Sequence, residues 1–238
     1  MKAIIFNSGL GKRMGDLTKN SHKSMVSLTN GETILKRQLR LLNECKIKQI
    51  VMTTGPFEEQ LRKQCVEFKD MSFTFVQNNL YDKTNYIYSM YLASEAIKGD
   101  VLLLHGDLVF NKRLLTRLLA SDDVSLCLYN EEKELPKKDF KGRIIDGYLK
   151  EVSIDIFGDN CYAFQPMYKL ASDDIKAWMV NVQKFIDNGS DKVYAENALN
   201  EITDVVKIKA MSYKNDYIDE VDTPQDLIRV SKEIQAFD

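Results

Sequence analysis

Apolar and polar positions alternate along this chain in two registers. The first apolar run, Ala3-Ile4-Ile5-Phe6, has no polar residue to mark an outer face, so it reads as a strand buried on both sides. From Glu32 to Cys45 the pattern changes: Ile34, Leu35, Leu39, Leu41 and Leu42 are interleaved with Lys36, Arg37, Gln38 and Arg40, which is helical spacing. Ile47 to Thr54 predicts a second strand, Gly55-Pro56 punctuates, Phe57 to Phe68 predicts a second helix, and Phe73 to Val76 a third strand. A β-α-β-α-β order implies a largely parallel sheet with right-handed crossovers and helices on both faces. In such a sheet the loops after the strands' carboxyl ends hold the site.

The pattern continues with an Asn- and Tyr-rich stretch from Asn78 to Tyr91, whose helix starts near Asn85. It then runs through a continuous apolar strand at Val101 to Leu104, a helix from Asn111 to Ala120 and a strand from Val124 to Tyr129. Beyond this the register loosens. Lys133 to Gly142 is strongly charged and reads as a lid or a solvated loop. Short alternating segments at Arg143 to Ile156 and Cys161 to Gln165 predict an antiparallel extension of the sheet. Asp173 to Asn188 carries Ile175, Trp178, Met179, Val182, Phe185 and Ile186 on one stripe and stops at Gly189. A short helix opens at Tyr194-Ala195-Glu196-Asn197, Val205 to Met211 predicts a strand, and Tyr217 to Asp222 reaches a last turn. The terminal helix then starts with Thr223 as N-cap, Pro224 at its first position and Asp226 at its third. Because Thr223 supplies the cap, the Asp222 carboxylate is free for another ligand. The fold class is α/β: a three-layer sandwich around a mostly parallel mixed sheet with a small antiparallel extension, as one domain over residues 1–238.

Composition narrows the partners. A formal net charge of −2 gives no basic excess for nucleic acid or an anionic membrane, while a small anion on a local cationic loop stays allowed. No apolar run approaches the roughly 20 residues of a membrane span, and the chain opens directly into strand without a signal peptide. The expected location is the cytoplasm. Cys45, Cys65, Cys127 and Cys161 form no C-x-x-C pair, and only His22 and His105 could join them at a zinc ion. They read as mostly buried thiols.

Candidate chemistry concentrates behind the first strand. Asn7-Ser8-Gly9-Leu10-Gly11-Lys12-Arg13 is a glycine turn whose main-chain N–H groups can approach a polyphosphate. Arg13 can fork across two phosphate oxygens, and Lys23 adds a point charge. The loop lacks the third glycine of a dinucleotide fingerprint at the required spacing and does not fit a Walker A loop. The strand ending at Leu104 delivers His105-Gly106-Asp107 to the same sheet edge, where a carboxylate suits Mg²⁺ together with substrate phosphates.

Three features occur in order: Gly9-x-Gly11-x-Arg13 with Lys23, Asp107 at the end of the central strand, and Glu220-Val221-Asp222-Thr223-Pro224 before the last helix. This pattern resembles the nucleotidyltransferase family that includes sugar-1-phosphate nucleotidylyltransferases, over essentially the whole chain. It is most similar to bacterial phosphocholine and phosphonate cytidylyltransferases, through Asn78, the Asn85-Tyr-Ile-Tyr-Ser-Met run, Leu103-Leu-His-Gly-Asp107 and Val193-Tyr-Ala-Glu-Asn197. Two departures stand out: Asn7-Ser8 replaces the family's small residues, and His22 stands where a proline is usual before the loop lysine.

The resemblance implies a Rossmann-like nucleotidyltransferase fold. Residues 1–130 would be the nucleotide-binding core, 131–200 a substrate-side extension and 201–238 a return to the core. It implies that a phosphorylated acceptor attacks the α-phosphorus of a nucleoside triphosphate and pyrophosphate leaves. Mg²⁺ would be held by Asp107 and Asp222, Arg13 would steady the pyrophosphate, and Lys23 would serve the α-phosphate or the acceptor. Ser8, Gly9, Leu10, Gly11, Lys12, Arg13, Asn78, Asn85, Ser89 and Gly106 would contact the nucleotide, and Lys23, Tyr86, Tyr88, Tyr194, Glu196 and Asn197 the acceptor.

The expected donor is CTP. Among acceptors, a quaternary ammonium needs an aromatic cage, yet position 195 is alanine and the one tryptophan, Trp178, sits on a helical stripe. A primary ammonium prefers a carboxylate, which Glu196 with Asn197 could supply, so 2-aminoethylphosphonate is favoured and phosphocholine is the alternative. A sugar 1-phosphate acceptor and a non-catalytic nucleotide-binding paralogue stay open, as does a homodimer.

Overall fold

Strand β1, Lys2–Asn7, lies inside a nine-stranded sheet in the computed structural model of the protein, which describes residues 1–237. It pairs in parallel with β2, Gln49–Thr54, on one side and β4, Val101–His105, on the other, with β3, Ser72–Gln77, parallel beyond β2. Three helices make the connections: α1, Ile34–Glu44, α2, Glu58–Cys65, and α3, Tyr86–Leu92. Successive β1 residues feed opposite layers, as the two-residue period of a strand requires. Ala3 and Ile5 pack with Leu35, Leu39 and Leu42 of α1 and Leu61 of α2, whereas Ile4 and Phe6 pack with Ile87 and Met90 of α3. These side chains are almost fully shielded from solvent, and each one larger than alanine stabilises the fold by roughly 1.5–3 kcal/mol as an upper bound.

The second half of the chain completes the sheet in a different way. After β5, Leu108–Phe110, and α4, Lys112–Ala120, come β6, Leu126–Asn130, β7, Lys141–Ile145, and β8, Tyr148–Ser153. Strand β9, Cys161–Leu170, then inserts antiparallel between β4 and β6. The sequence places a short strand at Cys161–Gln165 in a peripheral extension; the structure corrects this to a ten-residue strand in the middle of the sheet. Pro166 explains the difference. A proline argues against a central strand because it lacks an N–H, and here the ladder shifts register between Cys127 and Leu128, opposite Tyr168 and Gln165, so that Pro166 falls in a bulge.

Helix α5, Ser172–Asp187, and helix α6, Ala195–Asn200, cover the face that α3 also covers. Strand β10, Lys209–Ser212, is parallel to β6 and starts later than the Val205–Met211 pattern suggests. The first part of that pattern is a turn whose Val206 and Ile208 fill the core. Strand β7 pairs with both β8 and the beginning of β9, so β9, β6, β10, β8 and β7 close into a ring. The charged run from Lys133 is exposed at Lys133, Glu134, Lys137 and Lys138, as a solvated loop would be, but its end is buried. Lys141 is fully buried and donates to the carbonyls of Pro136 and Asp139 at 2.8 and 3.1 Å, which carries residues 136–140 back over the sheet edge.

Where the sequence suggests only a turn, β11, Ile218–Glu220, pairs antiparallel with β5 in a separate two-stranded sheet. Helix α7, Pro224–Glu233, follows with the Thr223/Asp226 capping box that its sequence predicts. All four cysteines are free thiols. No helix among the described residues is long and apolar enough to cross a membrane.

Candidate active site

A cleft of about 320 Å³ opens at the carboxyl edge of β1 and β4, lined by the glycine loop, the start of α3, the turn after β4, residues 138–140 and the strand end at Glu220 to Asp222. Parallel strands bring their carboxyl ends to one edge, which explains how segments a hundred residues apart meet here. Ser8 and Ser89 share a hydrogen bond of 3.0 Å, Asn78 donates to Ser89 at 3.0 Å, and Ser8 donates to Thr53 at 3.0 Å. This buried chain pins the root of the glycine loop to α3 and β2. Gly11 adopts the left-handed conformation with φ 61°, and a Cβ there would stand 2.9 Å from the Lys23 side chain. Gly9, Gly11, Arg13, Asn78, Asn85, Ser89 and Gly106 all line the cleft.

Four candidate chemical residues meet at one point. The Lys23 ammonium lies 2.5 Å from Asp107 and 2.7 Å from Asp222, and Arg13 reaches Asp222 at 2.8 Å. Burial alone would push the Lys23 pKa down; the two carboxylates outweigh it and hold it above the ordinary lysine value. Burial would likewise raise Asp107, but Lys23 and then His105 hold it below the usual carboxylate range. The pairing that carries this geometry is β5 with β11, together with the Val221 N–H donated to the Asp107 carbonyl at 3.1 Å.

Glu220 belongs to this group and is absent from the sequence-based assignment. Burial first, then Asp107, Asp222 and Asp139, pushes its carboxyl well above the ordinary value. Its spacing from Asp222 held the signal, since residues two apart at a strand end point to the same side. Donor atoms of His105, Asp107 and Glu220 lie within 4.8 Å of one another, as do those of Asp139, Glu220 and Asp222. Asp107 Oδ1 is buried without a hydrogen-bond partner. A set dominated by carboxylate oxygens with an orphaned buried acceptor fits a hard divalent cation of the Mg²⁺ class. The simple Asp107–Asp222 pair of the sequence reading becomes a wider group, with Lys23 bonded to both of its members.

His22 lines the same floor. Its Nδ1 accepts from the Ser24 N–H at 3.1 Å and its backbone N–H donates to Gln60. Burial and the neighbouring Lys23 push its pKa down to about 4, so the imidazole is neutral near pH 7.

Several assigned residues fall elsewhere. Leu10 and Lys12 line a neighbouring recess with Phe57 and are off the cleft, because the left-handed Gly11 turns the chain between them. Tyr88 lies on another side of α3 and packs on Tyr91, ring centroids 5.8 Å apart. Asn197 is exposed on α6. Glu196 is fully buried below the cleft, where the Tyr86 and Tyr168 hydroxyls both donate to its carboxylate. It therefore cannot meet a substrate ammonium directly. The tyrosines it holds can: Tyr86 and Tyr194 line the cleft with Phe140 and Ile154, and Asp139 stands beside them. Asp139 has no ion-pair partner among the described residues, and burial followed by Asp222 raises its pKa. Trp178 is buried, its indole N–H donating to the Ala195 carbonyl at 2.9 Å.

Residues 3–145 match the MobA-like NTP transferase domain. Choline-phosphate cytidylyltransferase of Haemophilus influenzae is 34% identical over 114 residues, 48% of this chain and 47% of that protein. The 2-aminoethylphosphonate cytidylyltransferase of Lancefieldella rimae is 31% identical over 111 residues, 46% of this chain and 44% of that protein. Each alignment thus spans less than half of the relative's length. Among solved structures, CTP:phosphocholine cytidylyltransferase from Streptococcus pneumoniae superposes with a TM-score of 0.80 at 19% identity, covering 98% of each chain. That superposition shows the shared Rossmann-like α/β fold. With more than half of its length in that match, and the matched segment supplying the glycine loop, Lys23 and Asp107, the chain belongs to the MobA-like NTP transferase domain family.

Proposed function

We propose that the protein is a Mg²⁺-dependent cytidylyltransferase that joins CTP to 2-aminoethylphosphonate, giving CMP-2-aminoethylphosphonate and pyrophosphate. The observation that carries this reading is the charge pattern of the cleft. Arg13 and Lys23 stand at the glycine loop, and next to the Glu220 and Asp222 carboxylates the cleft carries a further one, Asp139, which has no ion-pair partner among the described residues and shares the lining with Phe140 and Tyr194. The cations suit a triphosphate, and a carboxylate beside aromatic rings suits an acceptor with a primary ammonium. The names of the relatives from Haemophilus influenzae and Lancefieldella rimae favour cytidine as the base and a small zwitterionic acceptor.

In this mechanism an anionic phosphonate oxygen attacks the α-phosphorus, a P–O bond forms, and the bond to the bridging β-oxygen breaks to release pyrophosphate. No proton has to be removed from the nucleophile, because that oxygen is already ionised at neutral pH. The protein's task is in-line positioning and neutralisation of developing charge. Asp107, Glu220 and Asp222 would hold the cation, which supplies charge neutralisation at the phosphate oxygens. Arg13 is 62% exposed in its side chain and swings from Asp222 to the departing pyrophosphate as a planar fork. Lys23, released from one carboxylate, keeps its ammonium at the α-phosphate.

A second reading, phosphocholine as acceptor, has its own support: the Phe140 and Tyr194 rings meet edge to face at 4.9 Å, and Tyr86 and Tyr194 lie 6.4 Å apart, a partial aromatic wall. The deciding experiment measures pyrophosphate release with each of the four nucleoside triphosphates against 2-aminoethylphosphonate, phosphocholine and glucose 1-phosphate. The expected result is the highest kcat/KM with CTP and 2-aminoethylphosphonate. Preference for phosphocholine selects the second reading, preference for glucose 1-phosphate overturns both, and nucleotide binding without turnover on any acceptor identifies a non-catalytic paralogue.

A further inference from the structure

Asp107 sits in a two-residue turn, Gly106-Asp107, between β4 and β5, and the position of its carboxylate is only as well defined as that turn. One side of the turn is jammed against β1. A Cβ on Gly106 would lie 1.7 Å from Asn7 Oδ1 and 2.9 Å from the Phe6 carbonyl, and the Gly106 N–H donates to that carbonyl at 3.1 Å. Beyond the Val221 N–H that donates to the Asp107 carbonyl, the turn is flanked by a side chain from helix α1. Gln38 is fully buried, and its Nε2 donates one hydrogen to the His105 carbonyl at 3.0 Å and one to the Leu108 carbonyl at 2.8 Å. These are the residues immediately before and after the turn. Two carbonyl partners settle which end of the amide faces them, since both can only accept. The other end, Oε1, is buried without a donor. A buried amide left half satisfied is costly in a core position, so this glutamine is a poor choice for packing alone.

The same helix also anchors Lys23. Its first residue, Ile34, donates its N–H to the Val26 carbonyl at 3.2 Å, just past the short helical turn Lys23–Met25, and Ser27 bridges to Thr33. One rigid element thus holds the lysine turn at its first residue and the aspartate turn one helical turn later. We propose that Gln38 is a positioning residue for the reaction: it fixes the Asp107 carboxylate relative to Lys23 and thereby sets the affinity and geometry of the divalent-cation site. This inference rests on the reading of the cleft as a nucleotidyl-transfer site.

The test uses Gln38→Met and Gln38→Glu in the full chain. Methionine keeps the length and removes both donors, and glutamate keeps the shape while turning an acceptor toward two carbonyls. Mn²⁺ binding is titrated by electron paramagnetic resonance, CTP binding by calorimetry without turnover, and the Mg²⁺ dependence of kcat by pyrophosphate release. Both variants should weaken Mn²⁺ binding and raise the Mg²⁺ concentration for half activation by at least about 10-fold, because misplacing a reacting group by 1 Å costs on the order of 100-fold. The CTP dissociation constant measured without metal should stay within about 2-fold, since no charge–phosphate contact is touched. Variants that melt earlier yet keep wild-type Mn²⁺ affinity and Mg²⁺ dependence would assign Gln38 to stability only and overturn the inference. If Gln38→Met does not fold, Gln38→Glu decides by the same titrations. Absence of turnover in the wild type would count against the proposed function alone, because the Mn²⁺ titration reads the Gln38 effect without catalysis.

Discussion

The parallel half of the sheet, β3-β2-β1-β4, and the ring built by β9-β6-β10-β8-β7 meet along one seam, β4 against β9, and assemble by different physics. In the parallel half β1, β2 and β3 are each followed by a crossover helix, β1 and β4 are largely apolar, and the β1–β2 and β2–β3 pairs are one β-α unit apart in sequence, with β4 joining β1 from about a hundred residues away. In the ring, β9 pairs with β4, β6 and β7, and β6 waits for β10, some eighty residues later, to cover its other edge. The glycine loop, Lys23 and Asp107 come from the first region; Asp139, Phe140, Tyr194 and the Glu196 anchor come from the second or its edge. The regular half thus supplies the glycine loop and Asp107, the irregular one supplies the aromatic lining, and the carboxylates Asp139, Glu220 and Asp222 stand where they meet.

The largest effects should come from the acidic group at the seam, where Asp107 after β4 meets Asp222 after β11. Asp107→Asn and Asp222→Asn are each expected to lower kcat by about 100- to 1,000-fold, the scale of losing one preorganised electrostatic contact to a transition state. Steady-state pyrophosphate release on folded variants measures it, and near-wild-type rates would remove both residues from the chemistry.

Next comes His22, on the floor of the same region. Its pKa of about 4 in the folded chain lies below the ordinary 6.5, so the unfolded chain binds the proton first as pH falls. Its stabilising contribution is complete above pH 6.5 and is lost as pH drops from there toward 4. Converted at 1.36 kcal/mol per pH unit, the whole effect is at most about 3 kcal/mol. Urea denaturation at pH 7.5 and 4.5 should show a shallower loss for His22→Gln than for wild type; parallel losses would mean the imidazole is not kept neutral by the fold.

The ring side predicts smaller and more selective changes. Asp139→Asn should reduce kcat/KM for 2-aminoethylphosphonate by about 10-fold, as expected for one charge-assisted contact to an ammonium, and, because its carboxylate lies within 4.8 Å of those of Glu220 and Asp222, should change KM for CTP by a smaller factor. An equal loss for CTP and acceptor would blur the division between the two regions. Least disruptive to catalysis is Trp178→Phe, which removes the hydrogen bond to the Ala195 carbonyl beneath the cleft and leaves part of the indole's buried volume unfilled against Tyr168. Thermal melting should report a loss of about 2 to 3 kcal/mol, with nucleotide affinity intact.

The legibility of the two regions differs for the same reason. Ala3 to Phe6, the α1 stripe and the apolar run Val101 to Leu104 announce their elements because burial on two faces, or on one helical face, is written in adjacent residues. Pro166 hides the central strand it sits in, since a bulge that excuses its missing N–H depends on β6, forty residues earlier. The charged run is solvated over Lys133 to Lys138, but nothing local shows that at its end the Lys141 ammonium will find the Pro136 and Asp139 carbonyls. Glu196 and Asn197 illustrate the limit at the site. Adjacent helical residues point about 100° apart, and only packing on Tyr86 and Tyr168 decides that the first is buried and the second exposed.

By itself, then, the order of residues determined the α/β class, the glycine loop with its two cations, the Thr223 cap that frees Asp222, and the sheet edge where chemistry would gather. Those follow from local rules of burial, backbone freedom and strand direction. Tertiary structure alone decided that β5 and β11 pair, bringing Asp107 to Glu220 and Asp222 from more than a hundred residues away, and that Lys23 bridges the two aspartates. It also decided that Gln38 grips the Asp107 turn and that Asp139, rather than Glu196, offers a free carboxylate to the cleft. The physical reason is that charge placement depends on distance in space, and distances between remote segments exist only once the sheet has closed.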